Sequence, residues 1–170
     1  MIKLNSKTTV NLNKKEIYKI CKLKNVEWKY GINSQIKWFK KNIKSKDIHN
    51  LFWMNNNLYG YTCLRKRTCL INKKRRNYFL FDTLIIDKKI RNKGLGNLLM
   101  IFNNNIIIQN KLFAFLICRQ KTINFYEKNN WIRIFKNDYI INDNLYPNQY
   151  GMIFNSKYKK GNNYNFWVNK

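Results

Sequence analysis

A short basic, glycine-containing stretch constrains this chain more than any other feature. The apolar run at residues 78–86 predicts a strand, and residues 96–110 carry a helical pattern. The turn between them contains Arg91, Lys93, Gly94 and Gly96, so mobile positive charge lies beside flexible backbone. A helix begins with backbone N–H groups that lack partners within the helix, and its dipole is positive at that end. The stretch therefore predicts an anion-binding turn.

Hydrophobic periodicity and turn residues predict seven strands and four helices, in the order β-α-α-β-β-β-α-β-α-β-β. Asn13 is expected to cap the first helix through a capping box with Glu16, and Ser34 to cap the second. The other predicted elements are strands ending at 8–12 and covering 47–54, 58–70, 78–86, 111–118, 131–134 and 150–154, and helices 34–44, 96–110 and 122–128.

Two of these predictions concern which side of an element is buried. The third helix is expected to pack through Leu95, Leu98, Leu99, Phe102 and Ile106, which share a helical face. A strand period of two residues predicts that Asp82 lies on the same side as Leu84 and Ile86.

We expect one domain over residues 1–154 and a basic, aromatic tail over residues 155–170.

The charge of the chain favours an anionic ligand. The net charge is +26 and the pI about 10.1, which steers anions to the surface. Asn, Lys and Ile are abundant throughout, so part of the lysine excess is expected to be solvated surface.

The four cysteines lack CxxC spacing and His49 is the sole histidine, so no metal is expected. Without a signal-like or membrane-spanning run, we expect a cytoplasmic protein that contacts no membrane.

Two blocks together resemble a known family. Arg91-x-x-Gly94-x-Gly96 resembles the acetyl-CoA pyrophosphate loop of the GCN5-related N-acetyltransferases. About thirty residues later, the segment FYEKNNW at 125–131 is similar to the FYEKxGF segment of that family. Asn130 replaces the usual glycine of that segment. Asparagine, like glycine, is suited to the left-handed conformation at a helix end. Arg119 stands where many members have an asparagine that contacts the pantetheine arm.

The resemblance covers residues 47–154 and implies an α/β (α+β) acyl-CoA N-acyltransferase fold. In that fold a mixed, mostly antiparallel central sheet of six or seven strands is flanked by about four helices. It also implies acetyl-CoA as co-substrate, bound by backbone of the strands before and after the glycine turn, the second at residues 117–119. The residues implied to bind it are Leu84, Ile85, Ile86, Arg91, Asn92, Lys93, Gly94, Leu95, Gly96, Asn97, Arg119, Asn124 and Tyr126.

Three residues are candidates for proton transfer. Tyr126 stands where many members place the acid that protonates the leaving thiolate, and the resemblance favours that role over a tyrosine packed on its helix with its hydroxyl in solvent. Asp82 is a candidate base within an apolar run, or a carboxylate paired with a lysine. His49 is a candidate base acting through water, or a structural histidine. Bulk water is a further candidate for the base. Cys118 is expected to be core rather than a nucleophile.

The resemblance implies an N-acetyltransferase that acts on a primary amine of a small molecule. An amino sugar or aminoglycoside-like acceptor would need an acidic pocket from Asp82, Asp47 and Glu27, whereas an amino acid or nucleotide-linked amine suits the positive field better. A protein amine is a variant, and a homodimer is conceivable in such a family. The alternatives are a polyanion-binding module using residues 65–67, 73–76 and 157–170, which we consider less favoured, and a non-catalytic acyl-CoA sensor.

Overall fold

The structure, a computed structural model, describes residues 2–141 and 149–167. These residues form a mixed, mostly antiparallel sheet of nine strands with four helices, which confirms the predicted fold class and element order and adds two strands. The elements are β1 Ile2–Thr8, α1 Lys14–Glu27, α2 Ile32–Asn42, β2 Ile48–Met54, β3 Asn57–Ile71, β4 Lys74–Ile86, α3 Leu95–Gln109, β5 Phe113–Cys118, α4 Ile123–Glu127, β6 Ile132–Arg133, β7 Tyr139–Ile141, β8 Tyr150–Phe154 and β9 Tyr164–Phe166.

The chain divides into two compact units. The first contains Met1–Arg65 and Asp82–Asn103, and the second contains Lys66–Phe81 and Asn104–Lys170. In the first unit, β1 pairs with β2 and β2 with β3, both antiparallel. In the second, β5 pairs antiparallel with β8, β8 with β6, and β9 with the end of β3. Two pairings there are parallel: β7 with β9, and β4 with β5 through Tyr78, Phe79 and Leu80 against Phe113, Ala114 and Phe115.

The capping box predicted for α1 is confirmed. The Asn13 side chain accepts a hydrogen bond from the Glu16 backbone N–H at 2.9 Å, and the Glu16 carboxylate accepts from the Asn13 N–H at 3.0 Å. Helix α2 begins two residues before the predicted start, after Gly31 rather than Ser34, and it has no side-chain cap. Gly31 takes that place because its φ is 85°, a left-handed value that favours glycine.

Two strands differ from the prediction because the turns next to them differ from those that the sequence indicates. β1 occupies Ile2–Thr8, and the residues predicted to end it form a 3-10 turn at Thr9–Asn11. The turn before β4 consists of Asn72 and Lys73, with φ values of 48° and 64°. Two consecutive left-handed residues make the tight hairpin turn that matches strand twist, so β4 begins at Lys74 rather than residue 78.

The core of the first unit lies in two clusters. One packs β2, β3 and β4 against α1 and α2, with Ile20, Phe39 and Ile85 among its members. The other packs Phe52 and Ile86 against Leu99 of α3. The predicted face of α3 is partly wrong, since Leu98 is 40% exposed while Leu99, Met100 and Asn103 are buried.

Asn103 is buried on α3 because it has polar partners on the strands beneath it. Its side-chain oxygen accepts hydrogen bonds from Asn50 and Thr62, both at 3.0 Å. An apolar periodicity rule cannot find such a residue, because it treats asparagine as solvent-facing. The buried face of the helix therefore combines apolar and amide side chains.

The second unit extends beyond the last predicted strand. Within the segment expected to be a tail, β9 buries Tyr164 and Phe166, and Phe166 stacks on Phe115 with ring centroids 3.7 Å apart. β7 is the other strand that the sequence did not indicate. Each has three residues, which is too short for a period of two to be recognised.

Candidate functional site

The glycine loop, residues 91–97, joins the end of β4 to α3 in the first unit. Asn92 and Gly94 have φ values of 64° and 73°, so the backbone turns through the left-handed region twice. The first α3 backbone bond runs from the Leu98 N–H to the Gly94 carbonyl at 3.2 Å. Residues 91–94 are exposed, and a Cβ at Gly94 would meet no described atom within 4 Å. Open space in front of a helix start fits the approach of a phosphate group.

Arg91 holds this loop in place. Its Nε donates to the Ile86 carbonyl at 2.8 Å, and its Nη2 pairs with Glu27 Oε2 at 2.7 Å. These bonds connect the loop to the ends of β4 and α1. The sequence predicted a mobile charge at Arg91, and this is wrong because the guanidinium has two fixed partners. Lys93 is exposed and supplies the positive charge of the loop itself.

The last residues of β4 are fixed from both sides of the strand. Leu84 and Ile86 pack with the cluster beneath α3, whereas Ile85 packs with the cluster beneath α1 and α2. The packing of these three apolar side chains, of which Ile85 and Ile86 are buried and Leu84 is partly buried, fixes the orientation of their backbone groups. Backbone N–H groups held in this way can stabilise a developing negative charge on a carbonyl oxygen without reorganising.

Asp82 lies on the opposite side of β4 from Leu84 and Ile86, so the predicted side is wrong. Its Oδ1 is 3.5 Å from Nη1 of Arg65, whose Nη2 donates to the Asn42 carbonyl of α2. The alternation of the strand is therefore broken between residues 82 and 84. The sequence analysis offered two interpretations of Asp82, a base or a carboxylate paired with a lysine. The structure is closer to the second, but the partner of Asp82 is an arginine.

His49 is fully buried and both ring nitrogens have partners. Nδ1 is 2.8 Å from the Tyr61 hydroxyl, and Nε2 is 2.9 Å from the Thr9 hydroxyl. The ring stacks between Phe39 and Tyr61. Burial, with Lys24 as a second cause, lowers the pKa of His49 to about 4. This environment favours the structural interpretation of His49 over that of a base.

We expect the buried His49 to make folding stability depend on pH. Its pKa is about 4 when folded and about 6.5 when unfolded, so the unfolded chain takes up the proton first as the pH falls. The stabilisation is complete above pH ~6.5 and is lost toward pH 4, by ~3 kcal/mol in all. Because it is the sole histidine, NMR of untagged protein reports its titration directly. A midpoint near 6.5 would contradict the buried environment.

Tyr126 belongs to α4 in the second unit, within the FYEKNNW segment. Its ring makes edge contacts with Phe81, Phe125 and Trp131. Its carbonyl accepts from the Trp131 N–H at 3.1 Å. Burial, followed by the neighbouring Cys118, raises the pKa of the Tyr126 phenol well above its usual value. The phenol therefore keeps its proton at neutral pH and remains able to donate it.

The turn after α4 supports the sequence interpretation of Asn130. Asn130 has a φ of 65°, the left-handed value for which glycine is the usual residue.

Arg119 and Asn124 are exposed, and the Arg119 carbonyl accepts from the Thr122 N–H and hydroxyl at the turn before α4. Contacts of Arg119 and Asn124 with acetyl-CoA stay predictions. Cys118 is buried, and burial raises the pKa of its thiol.

The sequence did not indicate that two basic residues, Lys24 and Arg65, lie buried near Asp82. Lys24 lies on the buried side of α1 at helical spacing from Ile20, and Arg65 belongs to a run that resembles a solvated basic turn. The available signal was a lysine at an apolar position of an amphipathic helix. Arg65 gave no such signal, because its burial depends on pairing with elements distant in sequence.

Residues 2–141 and 149–167 contain no group of three or more His, Cys, Asp or Glu side chains suited to holding a metal ion. Among the helices of these residues, none combines the length and apolarity needed to cross a membrane.

Solved structures with the same architecture are numerous, although no family model and no curated protein matches the sequence. Escherichia coli ElaA is 16% identical over 90% of this chain and 99% of that protein, with a TM-score of 0.69. An acyl-CoA N-acyltransferase from Pseudomonas aeruginosa is 17% identical over 90% and 99%, with a TM-score of 0.68. An aminoglycoside 6'-N-acetyltransferase complexed with coenzyme A is 12% identical over 88% and 96%, with a TM-score of 0.65. The chain therefore has the fold of the GCN5-related N-acetyltransferases.

Proposed function

We propose that this protein is an acetyl-CoA-dependent N-acetyltransferase that acts on a primary amine of a small molecule. The observation that carries the proposal is the exposed left-handed turn through Asn92 and Gly94 into α3. The same fold in an aminoglycoside 6'-N-acetyltransferase complexed with coenzyme A supports this proposal. Backbone and Lys93 of the loop would bind the pyrophosphate, with Arg91 positioning the loop.

The transfer needs one carbonyl to be polarised and two protons to be moved. Acetyl-CoA supplies the acetyl group as a thioester: the amine nitrogen bonds to the acetyl carbon, the carbon–sulfur bond breaks, and sulfur leaves with the electron pair. Backbone N–H groups of residues 84–86 would stabilise the oxygen that gains charge. Tyr126 would give its proton to the sulfur, and the proton lost by the nitrogen would pass to Asp82 or bulk water.

The carboxylates of the first unit disfavour a polycationic acceptor. Asp47 is fully buried, Glu27 is paired with Arg91, and Asp82 is paired with Arg65. These are the three groups that an aminoglycoside-like acceptor would need as an acidic pocket. Within the proposed function, an amino acid or a nucleotide-linked amine is therefore the favoured acceptor.

Burial disfavours two of the features that suggested the nucleic-acid alternative, although the basic residues 73–76 are exposed. Arg65 and Arg67 are buried, so this run is not an exposed basic surface. Tyr164 and Phe166 are also buried, so they offer no ring on which a base stacks. A non-catalytic sensor would bind acyl-CoA equally well, and turnover with an amine distinguishes it from an enzyme.

Calorimetric titration with acetyl-CoA tests the site. We expect binding that survives added salt better than binding of ATP, a decoy anion. The Gly94→Glu variant is expected to weaken acetyl-CoA binding roughly 100-fold or more, because it sets a carboxylate against phosphate.

Gly161→Glu is the matched control for that variant. Gly161 also has a left-handed φ, 88°, with no described atom within 4 Å of a Cβ, so backbone strain and added charge are the same. Equal binding by both variants, or equal salt-sensitive binding of acetyl-CoA and ATP, would show that the glycine loop is not the site.

A further inference from the structure

A buried lysine lies between α1 and α2 in the first unit. Lys24 is 7% exposed, and its ammonium nitrogen is 3.9 Å from the centroid of the Trp38 ring and 5.9 Å from that of Trp28. Burial lowers the pKa of Lys24, while Asp82 acts in the opposite direction. An indole face compensates only part of the hydration that an ammonium loses on burial. Lys24 is therefore a cation held in a site that supplies it with little counter-charge.

Arg65 is a second cation against the same indole. It is 2% exposed, and its guanidinium carbon is 5.6 Å from the Trp38 centroid. Its terminal nitrogens reach the Asn42 carbonyl at 3.2 Å and Asp82 at 3.5 Å. The Nε–H is buried, and no atom of the described residues accepts its hydrogen bond. A buried donor without an acceptor is costly, and this Nε–H is available to an acceptor atom from outside the described residues.

The charges of this cluster do not balance. Lys24 and Arg65 bring two positive charges, and Asp82 is the one carboxylate paired with either of them in the described residues. The two indole rings near Lys24 reach the surface, since Trp28 is 37% exposed and Trp38 is partly exposed. A small anion that enters there would neutralise the excess charge and accept the unused Arg65 hydrogen bond.

We propose that Lys24 and Arg65, with the Trp38 ring, form a subsite for an anionic group of the acceptor. The acceptor is then a primary amine that also carries a carboxylate or a phosphate. This inference rests on the proposed function, because it names the substrate of that site.

Pairs of amines that differ only in the acidic group test the subsite. The set contains ω-amino acids of increasing length and aminoethyl phosphate, each with a partner amine that lacks the acidic group, such as 4-aminobutyrate with butylamine. Calorimetry measures their binding to the protein–coenzyme A complex, and thiol release from acetyl-CoA measures turnover. We expect at least one acidic member to bind roughly 10- to 100-fold more tightly than its partner. Whether that member is a carboxylate or a phosphate identifies the acceptor class.

Lys24→Met removes the ammonium and keeps the length of the side chain. It is expected to abolish the preference for the acidic member and to leave acetyl-CoA binding unchanged. Lys22→Met is the matched control, since Lys22 is an exposed lysine of the same helix. Arg65→Lys, which keeps the charge and removes the guanidinium, is expected to weaken binding of the acidic member as well.

Two outcomes overturn the inference. One is that no acidic amine binds more tightly than the partner amine that lacks the acidic group, and the other is that the preference persists in Lys24→Met. In both cases, intact acetyl-CoA binding leaves the proposed function standing. Failure of acetyl-CoA to bind the unmodified protein refutes the proposed function itself, so the two failures are distinguishable.

Discussion

Replacing Tyr126 by phenylalanine is expected to lower kcat roughly 100- to 10 000-fold, the usual contribution of a general acid. The substitution removes the hydroxyl that would protonate the leaving sulfur. It keeps the ring that contacts Phe81, Phe125 and Trp131. We therefore expect the dissociation constant of acetyl-CoA and the unfolding midpoint to change little.

Rates of thiol release and calorimetric titration, taken together, separate these effects. Because burial raises the pKa of Tyr126, the phenol stays protonated through pH ~10. No alkaline fall in rate below that pH is expected from this residue. Tyr18→Phe is the control, since Tyr18 is an exposed tyrosine of α1. A Tyr126→Phe variant with unchanged kcat would show that solvent or another group protonates the thiolate.

Replacing Trp131 by alanine is expected to lower the free energy of unfolding by about 3–5 kcal/mol. Trp131 is 2% exposed, and its ring stacks on Phe154 with centroids 5.5 Å apart. Its indole N–H donates to the Asn104 side chain at 3.1 Å. The substitution leaves a cavity and a buried amide oxygen that has lost this donor.

Urea denaturation followed by circular dichroism measures the loss. Trp131→Phe keeps most of the packing and removes the hydrogen bond to Asn104, so it is expected to cost about 1–3 kcal/mol. This milder variant gives a measurable value even when the alanine variant is unfolded. Trp28→Ala is the control, because Trp28 is 37% exposed. A loss below about 1 kcal/mol for Trp131→Ala would contradict the packing around this ring.

Features that depend on neighbouring residues could be predicted from the sequence. The capping box of Asn13 and Glu16 forms within one helical turn. The left-handed Asn130 and the flexible Gly94 also act through local backbone geometry. The two motifs on either side of a buried strand carried the family resemblance, and that resemblance implied the fold.

Features that depend on distant partners could not be predicted. The period of two placed Asp82 beside Leu84, but the contact with Arg65 requires a break in that alternation. Periodicity places Asn103 in solvent, although Asn50 and Thr62 provide it with buried hydrogen bonds. A three-residue strand such as β9 forms because Cys69 and neighbouring residues of β3 offer it a pairing edge.

The sequence by itself determined the capping box of α1, the left-handed turns and the glycine loop, since these depend on interactions within a few residues. Its two motifs also carried the family resemblance that implied the fold. Only the tertiary structure decided the side of β4 that carries Asp82 and the burial of His49. It also decided that Lys24 and Arg65 both lie against the Trp38 ring. The physical reason is that burial and pairing join residues far apart in the chain, where no local rule applies.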